Sequence, residues 1–136
     1  MYFIPPVVAW VLAQGIKVLI ETLRLGTFNR KRIFGSGGMP SSHAAASVAL
    51  TTSLWIDFGI HDPLVAVTLT FTLIVLYDAA GVRWETGRQA QIINKIIDEL
   101  MQTKQITNER LKELLGHTPL QVLVGSLLGF AIGVIF

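Results

Sequence analysis

Residues 35–43 combine the groups from which a phosphate site can be built. The stretch reads GSGGMPSSH, and a run of alanines that favours helix follows at 44–46. Glycine backbone can approach a ligand closely, and Ser41 is a favourable N-cap for the helix. Because a helix N-terminus presents free N–H groups and the positive end of the helix dipole, it is a natural anion site. On this stretch alone, an ordinary glycine-rich turn before a capped helix is the alternative.

Other groups that can bind or transfer phosphate stand near the ends of the apolar segments. Lys17 and Arg24 are seven residues apart, which is two turns of a first helix and roughly 10 Å along its axis. The remaining candidates begin or end later segments and are Ser42, His43, Asp78, Arg83, His117 and Gln121. Cationic side chains neutralise the oxygens of a phosphate monoester, one histidine can attack phosphorus, and another can protonate the leaving oxygen. The set therefore predicts phosphoryl transfer, provided that the fold collects these ends.

The composition is that of a membrane protein. Hydrophobic residues make up 51% of the chain and charged residues 15%, and the mean hydropathy is +0.57. Four apolar segments, at 4–24, 41–58, 64–80 and 118–136, are each near the minimum length for a spanning helix. We predict a single all-α domain over residues 1–136, a four-transmembrane-helix bundle. A soluble helical bundle is the alternative.

The long polar region between the third and fourth apolar segments is predicted to be a helical insert, residues 84–116. The third helix should end at a break at 79–81. An amphipathic helix follows, whose apolar face carries Ala90, Ile93, Ile96, Ile97 and Leu100. Thr107 can cap a second short helix that runs to position 115.

The basic residues predict how the bundle is oriented. All eleven lysines and arginines fall within 17–32 and 83–112, and four spans place both groups on one side of the membrane. The opposite link, 57–62, contains His61, to which we assign no role, and no lysine or arginine. The positive-inside rule therefore places the basic side in the cytoplasm and both termini outside, in a bacterial inner membrane or an organelle membrane. The N-terminus lacks the pattern of a secretory signal, so we expect the first segment to be retained.

Composition also limits the partners and cofactors. The chain has no cysteine, which excludes disulfides, a thiol nucleophile and a cysteine-based zinc site. Its net charge of +2 does not suggest a nucleic-acid partner. Gly125, Gly129 and Gly133 recur every fourth residue, a helix-packing ridge that could join two copies in a homodimer.

The ordered motifs resemble those of one family. Lys17 and Arg24 keep the K-x6-R spacing of the type-2 phosphatidic acid phosphatase and vanadium haloperoxidase superfamily. The run PSSH at 40–43 resembles its P-S-G-H motif, and GVR at 81–83 with GHTPLQ at 116–121 resembles its split third motif. The chain is most similar to the small divergent branch of that superfamily, over nearly its whole length.

The resemblance implies roles for the site residues. His117 would be the nucleophile that forms a phosphohistidine, and His43 the general acid. The phosphate would be held by Lys17, Arg24, Arg83 and Ser41, together with the backbone around Ser42. No metal or other cofactor is implied, and the substrates would be phospholipid or isoprenoid phosphates.

The chain also departs from the family pattern. Leu25 replaces a proline, Ser42 replaces a glycine and crowds the cradle, and 33 residues (84–116) stand where the family has five. Gln121 replaces the aspartate that orients the nucleophile, and Asp78, Glu21 and Glu85 are the candidates to take over that role. Two hypotheses follow: a lipid-phosphate phosphatase, or a non-catalytic headgroup binder or transporter on the same scaffold. A structural membrane subunit joined through the glycine ridge is a third.

Overall fold

The chain folds entirely into helices over the residues that the structure describes. The structure is a computed structural model, and it describes residues 1–27, 38–101 and 117–136; at 82–84, 86, 99 and 101 only the backbone is described. Five α-helices are found there, and none of these residues forms a β-strand. The all-α prediction is therefore confirmed. The short helix predicted at 107–115 lies outside the described residues.

The helices are α1 (Ile4–Leu25), α2 (Ser42–Phe58), α3 (Pro63–Tyr77), α4 (Arg83–Met101) and α5 (Pro119–Ile135). A π-helical turn (Asp78–Val82) lies between α3 and α4. The predicted break at 79–81 is therefore wrong, because the chain continues through this turn directly into α4. Such turns are mostly insertions inside longer helices, and they occur frequently at functional sites.

Local capping explains where the helices begin and end. The Ser41 side chain accepts a hydrogen bond from the backbone N–H of Ala44 at 3.4 Å and caps α2. Asp62 caps α3 in the same way, and a proline occupies the first position of the helix. Gly26 ends α1 in the left-handed conformation, with φ of 67°, and its N–H donates to the carbonyl of Thr22.

Helix α2 is the centre of the bundle and packs against α1, α3 and α5. Its contact with α1 is built from small residues, since Ala9 and Ala13 of α1 lie fully buried against Ala45 and Ala49 of α2. Ile132 of α5 completes this cluster. Small side chains let helix backbones approach closely, which is the main means of helix association in a membrane.

The glycine ridge of α5 lies against α2 of the same chain. A Cβ atom at any of the three glycines would overlap α2 or its cap: the backbone of Ser41 at Gly125, of Ala45 at Gly129, and of Ala49 with the side chain of Thr52 at Gly133. The ridge therefore acts inside the bundle. All three glycines are buried within one chain, and the homodimer expected through them stays a prediction.

Hydroxyl groups connect α2 to α3 in the interior. The Thr72 hydroxyl donates to the carbonyl oxygen of Ser47 at 3.0 Å. A hydroxyl has one proton, so the 2.9 Å contact between Thr51 and Thr72 has Thr51 as its donor. The serines and threonines of α2 thus face protein.

Within the described part of the chain, two helices have the length and composition of membrane spans, Ile4–Leu25 and the continuous stretch Pro63–Gly81. Helix α5 is apolar but shorter, at 17 residues. Helix α2 carries serines and threonines that are buried against its neighbours. The four-span arrangement is therefore not confirmed, although two candidate spans are present.

The predicted amphipathic helix is present as α4, and the residues that it buries are not those of its apolar face. Gly87 and Asn94, which are seven residues apart, are buried, whereas Ile93 and Leu100 are 43% and 47% exposed. The predicted helix is present, but its isoleucines do not make the principal contact. Hydrophobic spacing alone marked the larger side chains and missed the small and amide residues that the helix buries.

Candidate phosphate site

A polar cavity of about 380 Å³ opens where the C-terminal half of α1, the segment before α2 and the start of α5 meet. Its polar lining includes Lys17, Glu21 and Arg24 from α1, and Thr118 and Gln121 from the start of α5. The structure thus collects the ends of the first and last helices, as the sequence predicts. Arg24 is exposed at the mouth, and Glu21 is half-buried.

His117 lies beside this cavity with one ring nitrogen fixed and the other unpartnered. Its side chain is 1% exposed, and its Nδ1 is 3.4 Å from Oε1 of Gln121. The same Oε1 accepts the backbone N–H of Thr118 at 3.1 Å, which settles which end of the amide is oxygen. An amide oxygen only accepts, so Nδ1 carries the proton and Nε2 has the lone pair. Among the described residues, Nε2 has no hydrogen-bond partner.

The protonation state of His117 follows from its surroundings. The pKa of His117 is lowered to about 4, chiefly by burial, then by the positive charge of Lys17, and less by the nearby His43. The hydrogen bond to Gln121 and the backbone of Gly38 act in the opposite direction. At neutral pH, His117 is therefore a neutral imidazole, the form that can act as a nucleophile.

Lys17 is buried and held by two neutral oxygens. Its side chain is 3% exposed, and Nζ donates to Oε1 of Gln14 at 2.7 Å and to Oγ of Ser42 at 3.0 Å. Ser42 thus contributes a side chain as well as backbone to the site. The predicted crowding by Ser42 is replaced by a hydrogen bond to the cation.

Ser41 connects the second and third motifs. Its backbone N–H donates to the carbonyl oxygen of Gln121 at 3.0 Å, while its own side chain caps α2. Gln121 belongs to a capping box with Thr118 at the start of α5. The glutamine therefore holds the helix start and the imidazole of His117 together.

His43 and Asp78 lie on the other side of His117. The rings of His43 and His117 are 6.3 Å apart between centroids and meet at 61°, an edge-to-face arrangement. His43 and Asp78 line a second cavity of about 200 Å³ between α2 and the end of α3. Asp78 is therefore a neighbour of the predicted acid, while the nitrogen of the predicted nucleophile contacts Gln121.

For some residues of the predicted site, the structure describes only the backbone or nothing at all. Arg83 begins α4, and only its backbone is described. Most of the glycine stretch, residues 35–37, is also outside. Sequence reasoning missed Gln14, although a polar residue three positions before Lys17 in an otherwise apolar segment was a visible signal. It also missed Thr118, for which the spacing to Gln121 was the signal.

Comparisons with known proteins agree with these motifs. A family model described as "Divergent PAP2 family" matches residues 1–132. The membrane protein YuiD of Bacillus subtilis (strain 168) is 36% identical over 132 residues, which cover 89% of this chain and 84% of the relative. No solved structure matches the chain significantly.

Proposed function

The chain belongs to the divergent PAP2 family, as its motifs predict, and we propose that it is a membrane phosphatase for lipid phosphates. The substrate class is a phospholipid or isoprenoid phosphate or diphosphate. Its terminal phosphate enters the cavity lined by Lys17 and Arg24, and its hydrocarbon part stays in the bilayer. The basic residues near the site favour the cytoplasmic face.

The observation that carries this proposal is the state of His117. A buried polar atom without a partner is uncommon and calls for an explanation. Here Nε2 has a lone pair, the ring is held by Gln121, and the low pKa keeps the imidazole neutral. These are the properties expected of a nucleophile that can attack phosphorus.

In the first step, Nε2 of His117 attacks phosphorus. A P–N bond forms, the P–O bond to the lipid breaks, and the leaving oxygen takes a proton from protonated His43. The proton of His117 stays on Nδ1, which donates a hydrogen bond to the Gln121 oxygen. In the second step, neutral His43 takes a proton from water, the resulting hydroxide displaces His117 from phosphorus, and inorganic phosphate leaves.

Cations stabilise the charge that develops on the phosphoryl oxygens. Lys17 and Arg24 line the cavity, and the family motif adds Arg83 as a third ligand. Ser41 adds to this stabilisation at the capped start of α2, where the helix dipole favours an anion. Lys17 and Ser41 act at little reorganisation cost because hydrogen bonds hold them before substrate binds.

Release of inorganic phosphate from a panel of lipid phosphates by purified protein tests the proposal. We expect turnover by the wild type and a loss of about 10³-fold or more in His117→Ala, as is typical when a nucleophile is removed. His61→Ala is the matched control, since this histidine lies in the link between α2 and α3, and it should keep wild-type activity. Equal background rates for wild type and His117→Ala would exclude a His117 phosphoenzyme.

One observation favours a second candidate function, a non-catalytic binder or transporter of lipid phosphates. The partner of Nδ1 is a neutral amide, and an amide stabilises an imidazolium less than a carboxylate does. This function predicts saturable binding of a lipid phosphate, weakened in Arg24→Ala, without phosphate release. Phosphate release from the panel of lipid phosphates therefore distinguishes a phosphatase from a binder or transporter.

A further inference from the structure

Lys17 is an ammonium group buried in an apolar bundle, and its surroundings need an explanation. A charge taken out of water costs several kcal/mol unless it is hydrogen-bonded or paired. Here two acceptors come from different helices: Gln14 lies one turn earlier on α1, and Ser42 lies in the first turn of α2. Both are themselves buried.

The chemistry of these two acceptors matters more than their number. An amide oxygen and a hydroxyl oxygen replace water around the ammonium, but neither carries a negative charge. A carboxylate at the same 2.7 Å would form an ion pair and reduce the positive potential that an incoming anion meets. Gln14 is the isosteric alternative to such a carboxylate, so it solvates the cation and preserves its charge.

The positive charge of Lys17 affects the other groups of the site. Its positive field is the second cause, after burial, of the low pKa of His117. The groups that face His117 are Lys17 from α1, His43 from α2 and Gln121 from α5. The same field would act on a phosphate held between them.

We propose that Gln14 is a positioning residue of the phosphate site, whose amide oxygen fixes the Lys17 ammonium next to Ser42 without neutralising it. The ligand that this arrangement serves is a phosphate monoester or its free phosphate, a dianion at neutral pH. The inference rests on the anion site of the proposed function and does not require turnover. Gln14 itself touches Lys17 and has no chemical step.

The first test compares anion binding by the wild type, Gln14→Glu and Gln14→Met in detergent. Orthovanadate and inorganic phosphate are the probes, and the melting temperature of each variant is measured without ligand. We expect both variants to bind the anions at least about tenfold more weakly, the first through lost charge and the second through lost geometry. Their stabilities should move in opposite directions, because Glu adds an ion pair and Met leaves the buried ammonium with one acceptor fewer.

The matched control is Gln89→Glu, the same chemical change on the exposed surface of α4. It should bind both anions like the wild type. A Gln14→Glu protein that binds orthovanadate as well as the wild type overturns the proposal, and so does a wild type that binds neither anion. Intact anion binding without any phosphate release would remove the phosphatase function and leave the role of Gln14 standing.

A second readout does not depend on a ligand. In ¹⁵N-histidine NMR titrations, Gln14→Glu should raise the measured pKa of His117, since the new negative charge offsets the field of Lys17. Gln89→Glu should leave it unchanged. A His117 titration that is the same in wild type and Gln14→Glu would show that residue 14 does not control the charge in the site, against the proposal.

Discussion

At the residue scale, the candidate site is defined by neutral partners around charged or reactive groups. Gln121 holds the imidazole of His117, and Gln14 with Ser42 holds the ammonium of Lys17. In each case an amide or hydroxyl oxygen fixes a geometry without supplying charge. These contacts themselves neither neutralise the ammonium of Lys17 nor occupy the lone pair on Nε2 of His117.

The buried imidazole makes stability depend on pH in a predictable direction. The pKa of His117 is about 4 in the folded chain, against 6.5 for the free side chain. Between these values the unfolded chain binds a proton that the folded chain does not, so stability is complete above pH 6.5 and falls as the pH drops toward 4. The contribution lost is up to about 3 kcal/mol. Melting temperatures in detergent at about pH 7.5 and about pH 4.5 measure it.

Two histidine variants separate this contribution from general acid effects. His117→Gln should lose less stability on acidification than the wild type, because it has no imidazole to protonate. His61→Gln, which changes the exposed link, should decline as the wild type does. The same decline in all three proteins would contradict the assignment.

At the element scale, the sequence predicted which helices exist better than it predicted what they face. The alanine run and the N-cap at Ser41 located the start of α2 because capping is a local interaction. The amphipathic α4 was predicted, but the burial of Asn94 and the π-helical turn in place of a break at 79–81 were not, since both depend on tertiary packing. The glycine spacing predicted close packing correctly, but spacing cannot say which helix is the partner.

The glycine contact gives a stability prediction with an internal control. Gly129→Ala places a Cβ against the backbone of Ala45, which cannot move aside cheaply, so we expect a loss of about 2 kcal/mol or more. Gly15→Ala adds a Cβ with no neighbour within 4 Å on the exposed side of α1, and it should gain about 0.5–1 kcal/mol through helix propensity. Melting temperatures in detergent measure both. Equal effects would mean that α5 does not pack on α2 in this way.

At the scale of the whole molecule, the distribution of charge is the source of the predicted orientation. Basic residues fall within 17–32 and 83–112, and the link at 57–62 carries acidic residues. Of the basic residues, Lys17 and Arg24 line the candidate site. Two candidate spans fit this scheme, and the sidedness itself is a prediction from the positive-inside rule. Composition could indicate a membrane protein, but it could not determine how many helices contact lipid, because α2 is polar in sequence and buried in the fold.

The absence of cysteine makes this orientation directly measurable. Single cysteines at Thr27 and at His61 lie at opposite ends of the predicted bundle, and both positions are exposed. A membrane-impermeant maleimide applied to intact cells should label position 61 and leave position 27 unlabelled until the membrane is opened. The reverse pattern would place the candidate site outside the cell.

The hydrogen bond from the N–H of Ser41 to the carbonyl of Gln121 has a consequence for how such a site can evolve. It joins two motif segments that are far apart in sequence, and it uses only atoms that every residue other than proline possesses. A mutation at position 121 can therefore change the polarity of the group that faces His117 without separating the two segments. Single substitutions at position 121 can therefore change the chemistry of the site while the fold stays the same. This offers a physical route from hydrolysis to binding, or back.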